Sequence, residues 1–318
     1  MVVIGKDIEY AKSLLSQDTV VGIPTETVYG LAGNALSEEA ILKIYEVKNR
    51  PKFDPLIAHT DTLEKVRNLV QYLPEKAEQL ASQFWPGPLT LLLEKEKLVP
   101  DLLTSGHPRV AVRIPSHPLV KELLTQLDFP LAAPSANPFG YVSPTTAQHV
   151  AGQLGHKIPY VLDGGACSIG LESTIVGFEN DVPVVHRLGG IALESLEEVI
   201  GKVDVQLNTS SNPAAPGMLK SHYSPGRELI LGNIEENLRS RDPAETGIIS
   251  FSTHYNVPQE NLFVLSENGD VTEAAKNLFR ALRAMDRPHI HGVLAELVPD
   301  QGLGRAINDR LRRAAARN

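Results

Sequence analysis

Through the first two hundred residues, short apolar runs end abruptly in polar or charged side chains, which reads as a series of short buried strands with polar ends. Residues 19–23 close on Pro24 and then Thr25-Glu26-Thr27. Leu89-Thr90-Leu91-Leu92-Leu93, Val110-Ala111-Val112-Arg113-Ile114-Pro115, Leu131-Ala132-Ala133 and Ser173-Thr174-Ile175-Val176 read as further strands. Open α/β sheets bind ligands outside such strand ends, where loops carry function on a rigid scaffold. Ser37 predicts the N-cap of a helix through Lys48. Glu38 and Glu39 suit its positive end, Ile41 and Ile44 recur at helical spacing, and Pro51 stops it. Lys48 and Arg50 are thereby expected at an exposed helix exit.

From Leu207 to Gly226 the chain turns rich in Ser, Pro and Gly without periodicity and reads as a linker. Beyond it, Gly247-Ile248-Ile249-Ser250-Phe251, Leu262-Phe263-Val264-Leu265 and residues 292–298 look like strands. Thr272 is expected to cap a helix bearing Ala275, Leu278, Phe279 and Leu282, and a closing helix starts near Arg305. A length of 318 residues agrees with two domains, 1–206 and 227–318.

With 30 basic against 38 acidic side chains, a net charge of −8 is opposite to the footprint of most nucleic-acid binders. Cys167 is the sole cysteine, so the chain holds no internal disulfide and no cysteine-based zinc site, as suits the cytoplasm. No leader pattern opens the sequence, and no run nears the ~18 apolar residues of a membrane span. Phosphate-loop, nucleophile-elbow and His-Glu-x-x-His patterns are all absent.

Single residues admit two readings. Lys48, Arg50 and Lys52, interleaved with proline, suit a polyphosphate or simply complement a helix dipole. Arg113 interrupts an apolar alternation, where a charge must be paired or face a ligand; Arg109 and Arg187 stand similarly at strand edges. His59 follows Leu56-Ile57-Ala58 and either serves a site or is a satisfied structural histidine. Thr25, Thr27, Ser135, Asn137, Ser143, Ser173 and Thr174 offer neutral donors near turns, as turn chemistry alone requires. His289-x-His291 lacks a partner at metal-site spacing. Gly302-Leu303-Gly304 reads as a structural turn, and Cys167 has no evident base beside it.

Taken in order, GIPTETVYGL, KNRPKFDPLIAH, WPGPLTLLL, VAVRIP, APSANPFGYVSPT, DGG with ESTIV, and HRLGG resemble the YrdC/Sua5 family of L-threonylcarbamoyladenylate synthases over roughly residues 5–205. The tail resembles the extra domain of the longer, two-domain Sua5 type. The resemblance implies a twisted open α/β sheet with a ligand cavity, plus a smaller Rossmann-like α/β C-terminal domain. It also implies a nucleotidyltransferase that joins ATP, L-threonine and bicarbonate or CO2 into L-threonylcarbamoyl-AMP, releasing pyrophosphate, with Mg2+ arriving on the ATP phosphates.

Downstream proteins would transfer the threonylcarbamoyl group to adenosine 37 of tRNA, so no basic tRNA-binding face is required. Carried over by position, ATP falls to Lys48, Arg50, Asp54, Arg109, Ser135, Asn137, Ser143 and Arg187, with Tyr223 from a linker (207–226) folded over the site. Lys48 and Arg50 carry the catalytic charge. Threonine falls to Thr27, His59, Arg113, the Ala133 backbone and Ser173. The family often has Asn where Asp54 stands; a carboxylate there suits Mg2+ or a ribose hydroxyl and repels phosphate. An RNA- or ribosome-binding protein of the same fold is the alternative, against which the acidic balance argues. A carbamoyl-phosphate-using relative would need cysteine-rich zinc modules that one cysteine does not allow.

Overall fold

The structure, a computed structural model, describes residues 2–207, 223 and 226–316. It divides into two compact units: Met1–Phe139, Ser143–Ser168 and Glu172–Leu219 in one, and Gly140–Val142, Ile169–Leu171 and Lys220–Asn318 in the other.

The first unit is built on eleven strands: β1 (Val3–Gly5), β2 (Val21–Ile23), β3 (Gly30–Asn34), β4 (Ile57–His59), β5 (Leu89–Glu94), β6 (Arg109–Arg113), β7 (Leu131–Ala132), β8 (Tyr160–Leu162), β9 (Thr174–Glu179), β10 (Val182–Arg187) and β11 (Asp204–Val205). Their order is β1-β8-β2-β3-β7-β4-β6-β5-β9-β10-β11. The pairing is mixed: β6 runs parallel to β4 and antiparallel to β5, which is parallel to β9. Helices Ile8–Leu15 and Pro118–Thr125 place Ala11, Leu15, Val120 and Leu123 against Val21, Ile23 and Leu131 in one apolar cluster. Ile57, Leu92, Ala111 and Ile175 form a smaller one.

The helix Glu38–Lys48 has the bounds its sequence predicts. Ser37 accepts a hydrogen bond from the Ala40 N–H, and Asn49 closes the helix in the left-handed region at φ 51°. The expectation of an exposed exit fails, because Lys48 is 1% exposed and Arg50 8%. The following prolines turn the chain inward, so both cations point to the interior instead of extending into water.

The second unit carries a four-stranded parallel sheet of β12 (Glu228–Leu231), β13 (Thr246–Ser250), β14 (Leu262–Val264) and β15 (Gly292–Ala295) in the order β12-β15-β13-β14. The last strand ends at Ala295, short of residue 298, since Glu296 leaves the ladder to accept the Phe251 N–H. The long helix is Val271–Ala284, and its cap is Asp270, not Thr272. The Asp270 carboxylate reaches the N–H groups of both Thr272 and Glu273, which a threonine two residues further along, already inside the helix, cannot do. Gly304 opens the helix Gly304–Ala315, where an added Cβ would stand 1.9 Å from the Pro299 carbonyl; Gly302-Leu303-Gly304 is a structural turn. Among the described residues no helix is long and apolar enough to cross a membrane. The segment expected to fold over the site lies outside the described residues apart from Leu207, Tyr223 and Gly226.

Candidate active site

Register brings the expected threonine residues together. Across β4 and β6, His59 stands opposite Arg113; in the adjoining strands, Ile175 pairs with both Thr90 and Arg187. The buried guanidinium of Arg113 is held on three sides. Its Nε donates to the Gly87 carbonyl at 3.2 Å, Nη1 to Thr27 Oγ1 at 2.9 Å, and Nη2 to Glu26 Oε1 at 2.6 Å. The second Glu26 oxygen accepts the Ser116 N–H at 3.1 Å. Gly87 is required there, since an added Cβ would lie 2.3 Å from the Phe84 carbonyl.

His59 is pushed down to about 3, first by burial and then by the Arg113 charge, so it is neutral. Its Nδ1 lies 3.1 Å from the Ile57 carbonyl, to which it donates, and the ring also meets the Leu131 carbonyl. Ser173 joins this group through its hydroxyl, 2.7 Å from Thr90 Oγ1 and 2.9 Å from Arg187 Nη2; Arg187 Nε also holds the Ser173 carbonyl. The Ala133 N–H is engaged by the Ile57 carbonyl at 3.1 Å.

A second group gathers Lys48, Arg50 and Asp54 with the loop of Ser135 and Asn137. Lys48 Nζ donates to the carbonyls of Ser135 (2.5 Å) and Asn137 (2.6 Å). Arg50 holds the Asp54 and Pro55 carbonyls at 3.0 and 2.9 Å. Its Nη2 is also 2.9 Å from Asp54 Oδ2, an ion pair by distance whose angle leaves both carboxylate oxygens without a hydrogen bond. Burial raises the Asp54 carboxyl above its ordinary range against the pull of Arg50, Lys48 and Arg187. Lys48 is held well below the usual lysine value, first by burial and then by the Arg50 charge.

Other expected residues stand apart from these groups. Arg109 lies four residues before Arg113 on β6, about 13 Å along the strand. It faces Glu94 and lines a cavity of about 360 Å³ with Tyr72, Phe178 and Asp181. Ser143 donates to Glu172 Oε1 at 2.7 Å. Tyr223 belongs to the second unit, where its ring stacks on Phe279 at 5.4 Å and under the Arg310 guanidinium at 5.2 Å. Lys52 is exposed and makes no hydrogen bond or ion pair among the described residues. His289 and His291 bond to Asn261 and Glu245, and burial pushes the Cys167 thiol up to about 12, protonated and inert. No group of three or more His, Cys, Asp or Glu among the described residues could hold a metal ion.

The family described as telomere recombination, comprising Sua5, YciO and YrdC, matches residues 13–189, and one described as the C-terminal domain of threonylcarbamoyl-AMP synthase matches residues 191–316. The chain belongs to the Sua5/YrdC family. It is 40% identical to the threonylcarbamoyl-AMP synthase of Pyrococcus abyssi, over 97% of this chain and 94% of that one. It is 39% identical to the enzyme of the same name from Bacillus subtilis, over 97% and 92%. The crystal structure of P. abyssi Sua5 complexed with L-threonine superimposes with a TM-score of 0.93 at 39% identity, covering 99% of this chain and 97% of that one.

Sequence reasoning on this Sua5/YrdC chain passed over Glu26, Thr90 and Glu172. Glu26 stands inside the most informative motif, but a surface glutamate and a buried counter-ion look alike in one sequence. The available signal was Arg113 itself, since a charge in an apolar strand demands a partner.

Proposed function

We propose that the chain is a threonylcarbamoyl-AMP synthase that condenses L-threonine, bicarbonate or CO2, and ATP. The observation that carries the reading is the group around Arg113. A clamped guanidinium with two unused N–H groups faces a neutral histidine, a set suited to the carboxylate of one small molecule. The P. abyssi relative of this fold holds L-threonine.

In this reading Arg113 takes the threonine carboxylate, and neutral His59 stands beside its side chain. The threonine amine adds to CO2 to give a carbamate, losing one proton. A carbamate oxygen then attacks the α-phosphorus of ATP as pyrophosphate leaves, forming the mixed anhydride. No covalent enzyme intermediate is needed, so positioning and charge stabilisation are the protein's contribution. Lys48, Arg50 and Arg187 neutralise phosphate charge, and enclosure keeps water from the carbamate and the adenylate.

Magnesium, when bound with the nucleotide, shields phosphate charge and helps pyrophosphate depart. The acidic side chain among the phosphate cations, Asp54, is already paired with Arg50, so the ion would be held by the nucleotide's own phosphates. The nucleotidyltransferase class, a cytoplasmic location and hand-over of the product to tRNA-modifying transferases belong to the same proposal. The test is mass spectrometry of the product from ATP, L-threonine and 13C-bicarbonate, with pyrophosphate measured alongside. One labelled carbon per adenylate and one pyrophosphate per product are expected; pyrophosphate release indifferent to threonine would refute the reading.

A further inference from the structure

Arg113 has five N–H groups, and three are spoken for. Two of the three acceptors, Thr27 Oγ1 and Glu26 Oε1, are side chains of adjacent residues on the loop after β2, and the third is the Gly87 carbonyl. Glu26 is 6% exposed, and its other oxygen is fixed by the Ser116 N–H, so the carboxylate is itself anchored between two loops. Among the described residues this leaves one N–H on each terminal nitrogen of Arg113 without an acceptor. A guanidinium held in this way is fixed in direction, with one N–H of each terminal nitrogen left to a ligand.

We infer that Glu26 is a positioning residue of the amino-acid subsite. It fixes the Arg113 guanidinium so that its remaining N–H groups are left to the substrate carboxylate, and it acts only through Arg113. The inference rests on the reading of Arg113 as the carboxylate partner. Glu26 also balances the Arg113 charge, so this guanidinium meets the substrate through its direction more than through net charge. Burying an arginine without such a counter-charge would itself be strongly unfavourable.

The test is steady-state kinetics on full-length Glu26→Gln, Glu26→Asp, Arg113→Ala and the Glu26→Gln/Arg113→Ala double variant, varying L-threonine and ATP separately. Tryptophan fluorescence of Trp85, the single tryptophan of the chain, reports folding of each. Glu26→Gln keeps an acceptor for Arg113 but offers an amide N–H to Ser116, which breaks the anchor. Glu26→Asp keeps the charge and withdraws it by one carbon.

Both are expected to raise the KM for threonine about 10-fold or more, the scale of one charge-assisted hydrogen bond, while the KM for ATP stays within about twofold. The double variant is expected to be no worse for threonine than Arg113→Ala alone. L-threoninol, which lacks the carboxylate, should compete with threonine equally well in Glu26→Gln and the parent. A threonine KM unchanged in folded Glu26→Gln, a loss shared equally by ATP or by threoninol, or penalties that multiply in the double variant would each overturn the inference. An Arg113→Ala enzyme with normal threonine KM would instead overturn the underlying reading of the subsite.

Discussion

Two groups of buried charge share the first unit, and they are held in different ways. At Arg113, three acceptors fix one guanidinium and a carboxylate balances its charge one to one. At Lys48 and Arg50, two cations share the single carboxylate of Asp54 and spend their donors on main-chain carbonyls of neighbouring loops. The balanced arrangement suits a small ligand selected by direction, and the cation-rich one suits a polyanion drawn by charge. The cations of the second group also tie loops together, so chemistry and folding are coupled there.

That coupling gives the largest expected effect. Arg50→Ala strands the Asp54 carboxylate in the interior and is expected to cost about 3–5 kcal/mol, with Arg50→Ala/Asp54→Asn recovering much of it, as read by urea unfolding on Trp85 fluorescence. If the single variant is as stable as the parent, the ion pair carries no structural weight. Lys48→Met is expected to lower threonine-dependent pyrophosphate release ~100-fold or more. It also removes two buried charge-assisted hydrogen bonds, from Lys48 Nζ to the Ser135 and Asn137 carbonyls, so the unfolding midpoint should fall as well. Activity lost without any loss of stability would separate the two roles.

How much of this could be read from the sequence depended on whether a residue's partner was local. The helix Glu38–Lys48 was legible because Ser37, the paired glutamates and the proline stop all act within one turn of its ends. The strands were legible as apolar runs. Their order was not, because β6 lies between β4 and β5 through pairings tens of residues apart. Arg113 was recognisable as a misplaced charge, but its partner was not, since Glu26 lies 87 residues away. Lys48 was expected in water for the same reason: the carbonyls that take it are 87 and 89 residues distant. Arg50 has near partners, the Asp54 and Pro55 carbonyls four and five residues on, but its burial depends on the path of the chain after the helix. Resemblance supplied the list of site residues, while register and side-chain contacts supplied the grouping that separates Arg109 from Arg113.

The remaining predictions are smaller. His59 titrates near 6.5 in the unfolded chain and near 3 in the folded one, so the unfolded state binds the extra proton between those values. Stability of the first unit should therefore fall as pH drops below about 6.5, by at most about 1.4 kcal/mol per pH unit from this residue. Trp85-monitored unfolding of His59→Gln should show a shallower acid dependence; an unchanged slope would mean that His59 is not held neutral. In the second unit, Asp270→Ala should cost about 1 kcal/mol by circular dichroism and Thr272→Ala only a few tenths, which distinguishes the true cap from its neighbour. Lys52→Ala should change neither activity beyond about twofold nor stability beyond about 0.5 kcal/mol.

The division of labour between the two groups is tested most directly by separate calorimetric titrations of L-threonine and of ATP into the parent, Arg113→Ala and Lys48→Met proteins. The account predicts that Arg113→Ala loses threonine binding and keeps ATP binding, while Lys48→Met does the reverse. Equal weakening of both ligands by either substitution, in protein whose Trp85 fluorescence is native, would contradict it.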